Sequence, residues 1–354
     1  MIPFFIDAHE DIAWNWFEAQ RDPLEDIATA RQREAGSAIE AALGKRMTAL
    51  PQWLAGRVAV VFATIYVMPK RVARRARHTY ETPEEAHRRG RMQLAYYQSL
   101  AARAPQVRLI ESTNDLHAVL HTWRTPDALR RVGLLISLEG ADAIRTPEEV
   151  ADWYSRGLRA IGLAWGRTRY AGGTHEPGPL TDLGRALLRE MSAFQMLLDL
   201  SHAAEEAFWQ ALDAYEGPII ASHSNPRAFC NTDRHLSDEM IRALAERDGV
   251  MGIVPYNAFL LDNWRETRAP VPLSRVADAI DHVVQLLGTP RHVAIGTDFD
   301  GGFGADAAPE GLDSIADIER IFDVLRTRGY DEDALHAIAY GNWVRMLERA
   351  LPTW

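Results

Sequence analysis

The chain has 354 residues, 47% of them hydrophobic and 25% charged, with 24 Gly and 18 Pro. That is an ordinary globular composition, which excludes a disordered, collagenous or coiled-coil protein. The 39 basic and 49 acidic side chains leave a net charge of −10, which argues against nucleic acid as a partner, and the single cysteine, Cys230, excludes an internal disulfide framework or a multi-cysteine zinc site.

At the N-terminus, Met1-Ile2-Pro3-Phe4-Phe5-Ile6-Asp7 has neither the basic start nor the long apolar stretch of a secretory leader. No run approaches the roughly 18 apolar residues of a membrane span. The final Arg349-Ala350-Leu351-Pro352-Thr353-Trp354 lacks the apolar tail of a lipid-anchor signal. A cytoplasmic location with no membrane attachment is the expectation.

Short apolar runs recur along the chain: Phe4 to His9, Val58 to Val67, Val132 to Gly140, Leu158 to Trp165, Met196 to His202, Pro218 to Ser224, Val250 to Pro255 and His292 to Asp300. They are continuous rather than alternating, as in strands buried on both faces of a parallel sheet. Between them lie amphipathic stretches at helical spacing, such as Asp182 to Phe194 and Ser274 to Leu287. Eight strands alternating with helices predict an α/β fold of the (β/α)8 TIM-barrel type, read as one domain over 1–354. A doubly wound open sheet is the alternative, but no glycine-rich turn follows the first strand. The longest excursion, Met68 to Arg131, is expected to hold two or more helices. Within it, Lys70 to Arg91 carries eight cations and three acids, read as a solvated helix face with ion pairs rather than a nucleic-acid patch.

Barrel enzymes carry their chemistry at the C-terminal ends of the strands. Here those ends hold Asp7-Ala8-His9-Glu10-Asp11, Leu138-Glu139-Gly140, Leu200-Ser201-His202, Ala221-Ser222-His223 and Gly296-Thr297-Asp298-Phe299-Asp300. One histidine at a strand end is usually a hydrogen-bonded polar residue. Three with several carboxylates on one rim point to a metal site, since imidazole and carboxylate together suit zinc and similar ions. On an extended segment His9 and Asp11 face the same way. His9, Asp11, Glu139, His202, His223 and Asp298 are too many for one open zinc site and suit two metals sharing a bridging carboxylate and water. The only lysines, Lys45 and Lys70, end no predicted strand, which excludes a carbamylated-lysine bridge and leaves Glu139 as its replacement. Asp7 and Asp300 read as acceptors for the ring N–H groups of the metal-binding histidines rather than as ligands. Gly301-Gly302-Phe303-Gly304 reads as a βα loop, not a phosphate loop. His235 and the remaining scattered histidines read as surface or helix residues.

These motifs, with Asp199 ahead of Leu200 and Ser224 after His223, resemble the membrane (renal) dipeptidase family of zinc peptidases, peptidase family M19. Gly178-Pro179-Leu180-Thr181-Asp182-Leu183-Gly184 and Gly341-Asn342-Trp343-Val344-Arg345 also resemble its segments, so the likeness covers nearly the whole chain. The resemblance implies that His9 and Asp11 hold one zinc ion, His202 and His223 a second, and Glu139 bridges them. It implies that Asp298 is the catalytic acid/base, that Arg234 pairs with the substrate's terminal carboxylate, and that Tyr256 lines the same pocket. The implied partner is a small-molecule dipeptide or similar amide, with a homodimer left open. One position departs: where the family's dipeptidases carry a histidine that contacts the substrate, this chain has Trp165, with His175 a loop residue farther on. The expected wall is therefore more apolar, favouring bulky substrate side chains. Two alternatives remain at this point. One is an amide, ester or lactone hydrolase on the same barrel; the other is an inactive, metal-stabilised binding protein.

Overall fold

The eight apolar runs form eight strands, and in the computed structural model, which describes residues 2–73 and 77–353, they pair in chain order. They are β1 (Phe5–Glu10), β2 (Val58–Tyr66), β3 (Val132–Glu139), β4 (Leu158–Gly162), β5 (Leu197–Asp199), β6 (Ile219–Ala221), β7 (Val250–Ile253) and β8 (Val293–Ile295). Every successive pair from β1 to β8 is parallel. The first and last strands then meet: the Asp298 N–H donates to the His9 carbonyl at 3.1 Å, and the Thr297 N–H donates to Asp7 Oδ1 at 2.6 Å. The result is a nearly closed parallel barrel of the TIM type. Strands β1, β2 and β3 are buried along their whole length, which is why their runs lack the alternation of a half-exposed strand.

Strand register levels the site. Tyr66 pairs with Glu139, Glu139 with Gly162, and Gly162 with Asp199, so the tips of β2 to β5 form one row.

The outer helices follow their sequence signals. Asp182–Ser192 starts at Thr181, whose hydroxyl accepts from the Gly184 N–H, and it buries Leu187, Leu188 and Met191. Ser274–Leu287 ends at Gly288, whose φ of 69° is the left-handed conformation that glycine adopts without strain. The excursion after β2 contains the expected helices, Pro83–Arg103 and Thr113–Arg124. It also contains an unforeseen strand, Val107–Leu109, which pairs with the start of β3. Three residues, of which only Val107 is buried, carry too little apolar pattern to be recognised as a strand. The Pro83–Arg103 helix pins the tip of β2: the Gln93 amide bonds both backbone groups of Tyr66, and the Tyr97 hydroxyl donates to the Thr64 carbonyl at 2.6 Å. In the basic stretch, Lys70 pairs with Glu81, Arg71 with Glu176 and Arg91 with Asp152. Positions 74–76 of that stretch, like Met1 and Trp354 at the two ends, lie outside the described residues. No helix among the described residues is long and apolar enough to cross a membrane.

Candidate metal centre and substrate cavity

Glu139, at the tip of β3, is the centre of the site. Its Oε1 lies 3.1 Å from His202 Nε2 and 3.2 Å from His223 Nε2, while its Oε2 lies 3.8 Å from His9 Nε2. His9 Nε2 is also 3.8 Å from Asp11 Oδ2 and 3.9 Å from Asp298 Oδ1. Two overlapping sets result, each with ligand atoms within 4.8 Å of one another: His9, Glu139 and His223, and His9, Asp11 and Asp298. The five residues expected as metal ligands thus converge with Asp298. One detail differs from the sequence reading: β1 ends at Glu10, and Asp11 sits at the junction with the next helix with φ −84° and ψ 49°. It reaches the cluster from a turn, not from a continuing strand.

Hydroxyl groups aim all three imidazoles. His9 Nδ1 lies 3.3 Å from Thr64 Oγ1, His202 Nδ1 lies 3.0 Å from Thr174 Oγ1, and His223 Nδ1 lies 2.7 Å from Ser222 Oγ. At His223 the tautomer follows from counting protons. The Ser222 hydroxyl donates to Asp199 Oδ2, so it accepts from His223 Nδ1–H, and Nε2 turns its lone pair toward Glu139. Asp199 is held in turn by the Ser201 and Ser222 N–H groups, at 3.0 and 2.9 Å. Thr64, Thr174, Asp199 and Ser222 are the supporting residues that sequence reading missed; the polar strand ends Leu198-Asp199-Leu200-Ser201-His202 and Ala221-Ser222-His223 carried the only hint.

The electrostatics match a cation site. His9 Nε2, His223 Nε2 and Asp11 Oδ1 are buried without hydrogen-bond partners, which is costly unless something else satisfies them. Burial pushes Glu139 well above the usual carboxylate range, against the pull of His9. Burial also pushes Asp298 up to about 7, again opposed by His9. Burial alone would pull His9 down, but Glu139, Asp11 and Asp298 outweigh it and push it up to about 10. Burial, together with Arg234 and His9, holds His202 and His223 well below the usual imidazole range. Neutral imidazole nitrogens facing a crowded carboxylate are the donor set that a divalent metal takes, so the residues fit such an ion.

Backbone conformation shows strain at the same place. His202 has φ 65° and Asp298 φ 56°, both left-handed, a conformation that clusters at functional sites. Gly301 makes room for Asp298: a Cβ there would lie 1.9 Å from Asp298 Oδ1.

Above the cluster opens a cavity of about 470 Å³, within the size range of small-molecule sites. One wall is Trp14, Tyr66, Met68 and Trp165; the other is Arg234, Tyr256, Phe259 and Phe303. Trp165 is partly buried, with its ring 6.0 Å from that of His202. Tyr256 stacks on Phe303 at 4.2 Å. The buried Arg234 donates to the His223 carbonyl at 2.6 Å and to Ser224 Oγ at 3.2 Å, its Nε has no partner, and no carboxylate among the described residues pairs with it. His175 stands at the rim, exposed, 3.3 Å from Asp233. Asp7 and Asp300 lie outside the cluster and accept from none of its imidazoles, which corrects the sequence reading: the hydroxyls of Thr64, Thr174 and Ser222 take that place. Asp7 bonds Thr297, and Asp300 accepts from the Met47 and Thr48 N–H groups at 2.9 Å. His235 corrects the sequence reading: it is 1% exposed and lines the cavity, its ring edge-on to Phe259 at 4.7 Å. Lys45 and Lys70 are both on the surface.

A parallel barrel with histidines and carboxylates gathered at one rim beneath a cavity defines the class of barrel hydrolases. The chain belongs to the membrane dipeptidase family (peptidase family M19), whose model matches residues 3–352. It is similar to dipeptidase aclJ of Aspergillus oryzae, 31% identical over 61% of this chain and 51% of that protein, so the chain spans about half the length of this relative. A protein of Klebsiella pneumoniae from the pqqA 5′ region is 32% identical over 61% of this chain and 82% of its own length. Among solved structures, a Rhodobacter sphaeroides metallopeptidase liganded with a phosphinate mimic of the dipeptide L-Ala-D-Ala superposes with a TM-score of 0.79. It covers 98% of this chain and 99% of its own at 24% identity, a likeness of fold.

Proposed function

We propose that the protein is a binuclear zinc-dependent dipeptidase. The observation that carries this reading is the single buried carboxylate of Glu139, one oxygen toward His202 and His223 and the other toward His9. In this reading His9 and Asp11 hold one ion, His202 and His223 the other, and Glu139 spans both. When bound, such a pair supplies an acidified water as nucleophile and a Lewis acid for the carbonyl.

The chain's own residues supply the rest. Asp298, whose Oδ1 lies at the edge of the cluster 3.9 Å from His9 Nε2, takes the proton of the attacking water at Oδ1 and returns it to the leaving amine. Arg234, a buried guanidinium without a carboxylate partner among the described residues, receives the substrate's free carboxylate and restricts the enzyme to short substrates. Trp165 and Tyr256 give the cavity apolar walls, which supports a bias toward bulky side chains beside the scissile bond. Trp165 also favours a second reading, a hydrolase of related amides, esters or lactones, because an indole cannot move a proton as imidazole does.

Zinc-loaded protein assayed against L,L and L,D dipeptides, N-acyl amino acids and lactones separates the readings. The expected result is metal-dependent cleavage of dipeptides, hydrophobic ones fastest, with about two metals per chain. Turnover of lactones or N-acyl amino acids with no dipeptide cleavage would reject the first reading in favour of the second.

A further inference from the structure

The strand-end tyrosine of β2 has no role in the reading above, yet its environment is unusual. Tyr66 lies directly beside Glu139 in the β2–β3 register. It is 4% exposed, it lines the cavity, and its hydroxyl is buried without a hydrogen-bond partner. Everything else about the residue is fastened. Gln93 bonds its backbone N–H and carbonyl, and its ring packs 5.4 Å from Trp165 and 6.3 Å from Trp14. A buried O–H with no acceptor is destabilising. The nearby Tyr97 and Tyr80 hydroxyls are satisfied, on the Thr64 carbonyl and on Asp142, and the other orphaned hydroxyl, that of Tyr96, does not line the cavity; that of Tyr66 does, and calls for an acceptor that arrives from outside.

Resting on the dipeptidase reading, we propose that the Tyr66 hydroxyl donates a hydrogen bond to the substrate's carbonyl oxygen as that oxygen becomes an alkoxide. Water's oxygen adds to the carbonyl carbon, and the C=O π pair moves onto the carbonyl oxygen. When that pair returns, the C–N bond breaks and the amine leaves with the proton carried by Asp298. The carbonyl oxygen carries full charge only in between, which is when a fixed, otherwise idle donor is worth most. Of the other donors lining the cavity, Arg234 commits both Nη atoms to the His223 carbonyl and Ser224, and Thr174 holds His202; Trp14 Nε1 and Arg234 Nε also lack partners, but neither residue adjoins Glu139 in the strand register as Tyr66 does.

The test is Tyr66→Phe in the metal-loaded enzyme. Removing one such donor costs about 10²–10³-fold in kcat. We expect a loss of that order with KM changed less than threefold, metal content unchanged, and Tm equal to or above that of the wild type because no resting bond is lost. Affinity for a phosphinate dipeptide mimic should fall with kcat, while affinity for the product amino acids should not. An active wild type whose Tyr66→Phe variant keeps its kcat and its phosphinate affinity overturns this assignment alone. A wild type inactive on every dipeptide overturns the functional reading and this assignment with it.

Discussion

The two sides of Glu139 are built differently. On one side stand two neutral imidazoles, His202 and His223, within 3.2 Å of one oxygen. Their Nδ1 atoms are held at 3.0 and 2.7 Å, and at His223 the support runs on through Ser222 to Asp199. On the other side His9 faces Glu139, Asp11 and Asp298 across 3.8 to 3.9 Å, and its Nδ1 contact with Thr64 is longer, at 3.3 Å. The first half is nitrogen-rich and preorganised; the second is oxygen-rich, more negative and looser. Nitrogen donors suit zinc, while carboxylate-rich sets also accept harder ions such as manganese. In the binuclear reading, one carboxylate would therefore join two sites of unequal chemistry.

The comparison breaks most sharply at Glu139. Glu139→Gln removes the one group common to both halves, and it should abolish activity and lower the occupancy of both metals, read by elemental analysis. His202→Ala should empty the nitrogen-rich half first. Equal metal loss from the two variants would contradict the bridging role. Next in size, Asp298→Asn should retain metal and lose about 10²–10⁴-fold in kcat, the usual contribution of a general acid/base. A near wild-type rate would assign Asp298 to structure alone.

Support for the imidazoles is a smaller lever. Ser222→Ala removes the acceptor that fixes the His223 tautomer, and metal affinity at that half should weaken about 10–100-fold. Thr64→Ala, at the looser contact, should do less; a larger effect there would invert the comparison. The smallest effect concerns protons. In metal-free protein His9 is pushed up to about 10 by its carboxylate neighbours, in spite of burial. A raised histidine adds stability that is complete below its ordinary value near 6.5 and is lost as pH rises through 10. His202 and His223, held below the usual range, are neutral in both folded and unfolded chains above pH 7 and add no slope there. Metal-free protein should thus melt lower at pH 9.5 than at pH 7, by roughly 5 °C. Zinc-loaded protein, with no proton on His9, should lack that part of the slope.

Much of this was legible in the amino-acid sequence because barrel strands are buried on both faces and their polar residues collect at the tips. Glu139 ends an eight-residue apolar strand, and His202 and His223 lie just beyond β5 and β6, where an unpatterned polar residue stands out. Thr64, Thr174 and Ser222 were not legible, since hydroxyl residues are common and their role depends on the ring that they face. Tyr66 was hidden for a different reason: an aromatic at the end of an apolar run reads as core. His235 was misread because a loop after β6 folds back over the cavity, which no local pattern signals. The departure of Asp11 from the strand follows from the bend that opens the next helix, a matter of two dihedral angles.

The β1–β8 seam has a consequence for the making of the protein. His9 and Asp11 precede every other residue of the site in the chain, whereas Asp298, whose N–H closes the seam on the His9 carbonyl, follows them all. Glu139, His202 and His223 are all synthesised before β8 exists. A growing chain can therefore gather the nitrogen-rich half first, while the oxygen-rich half waits for the last strand to arrive. In the binuclear reading, the oxygen-rich half is therefore complete only once the barrel has shut.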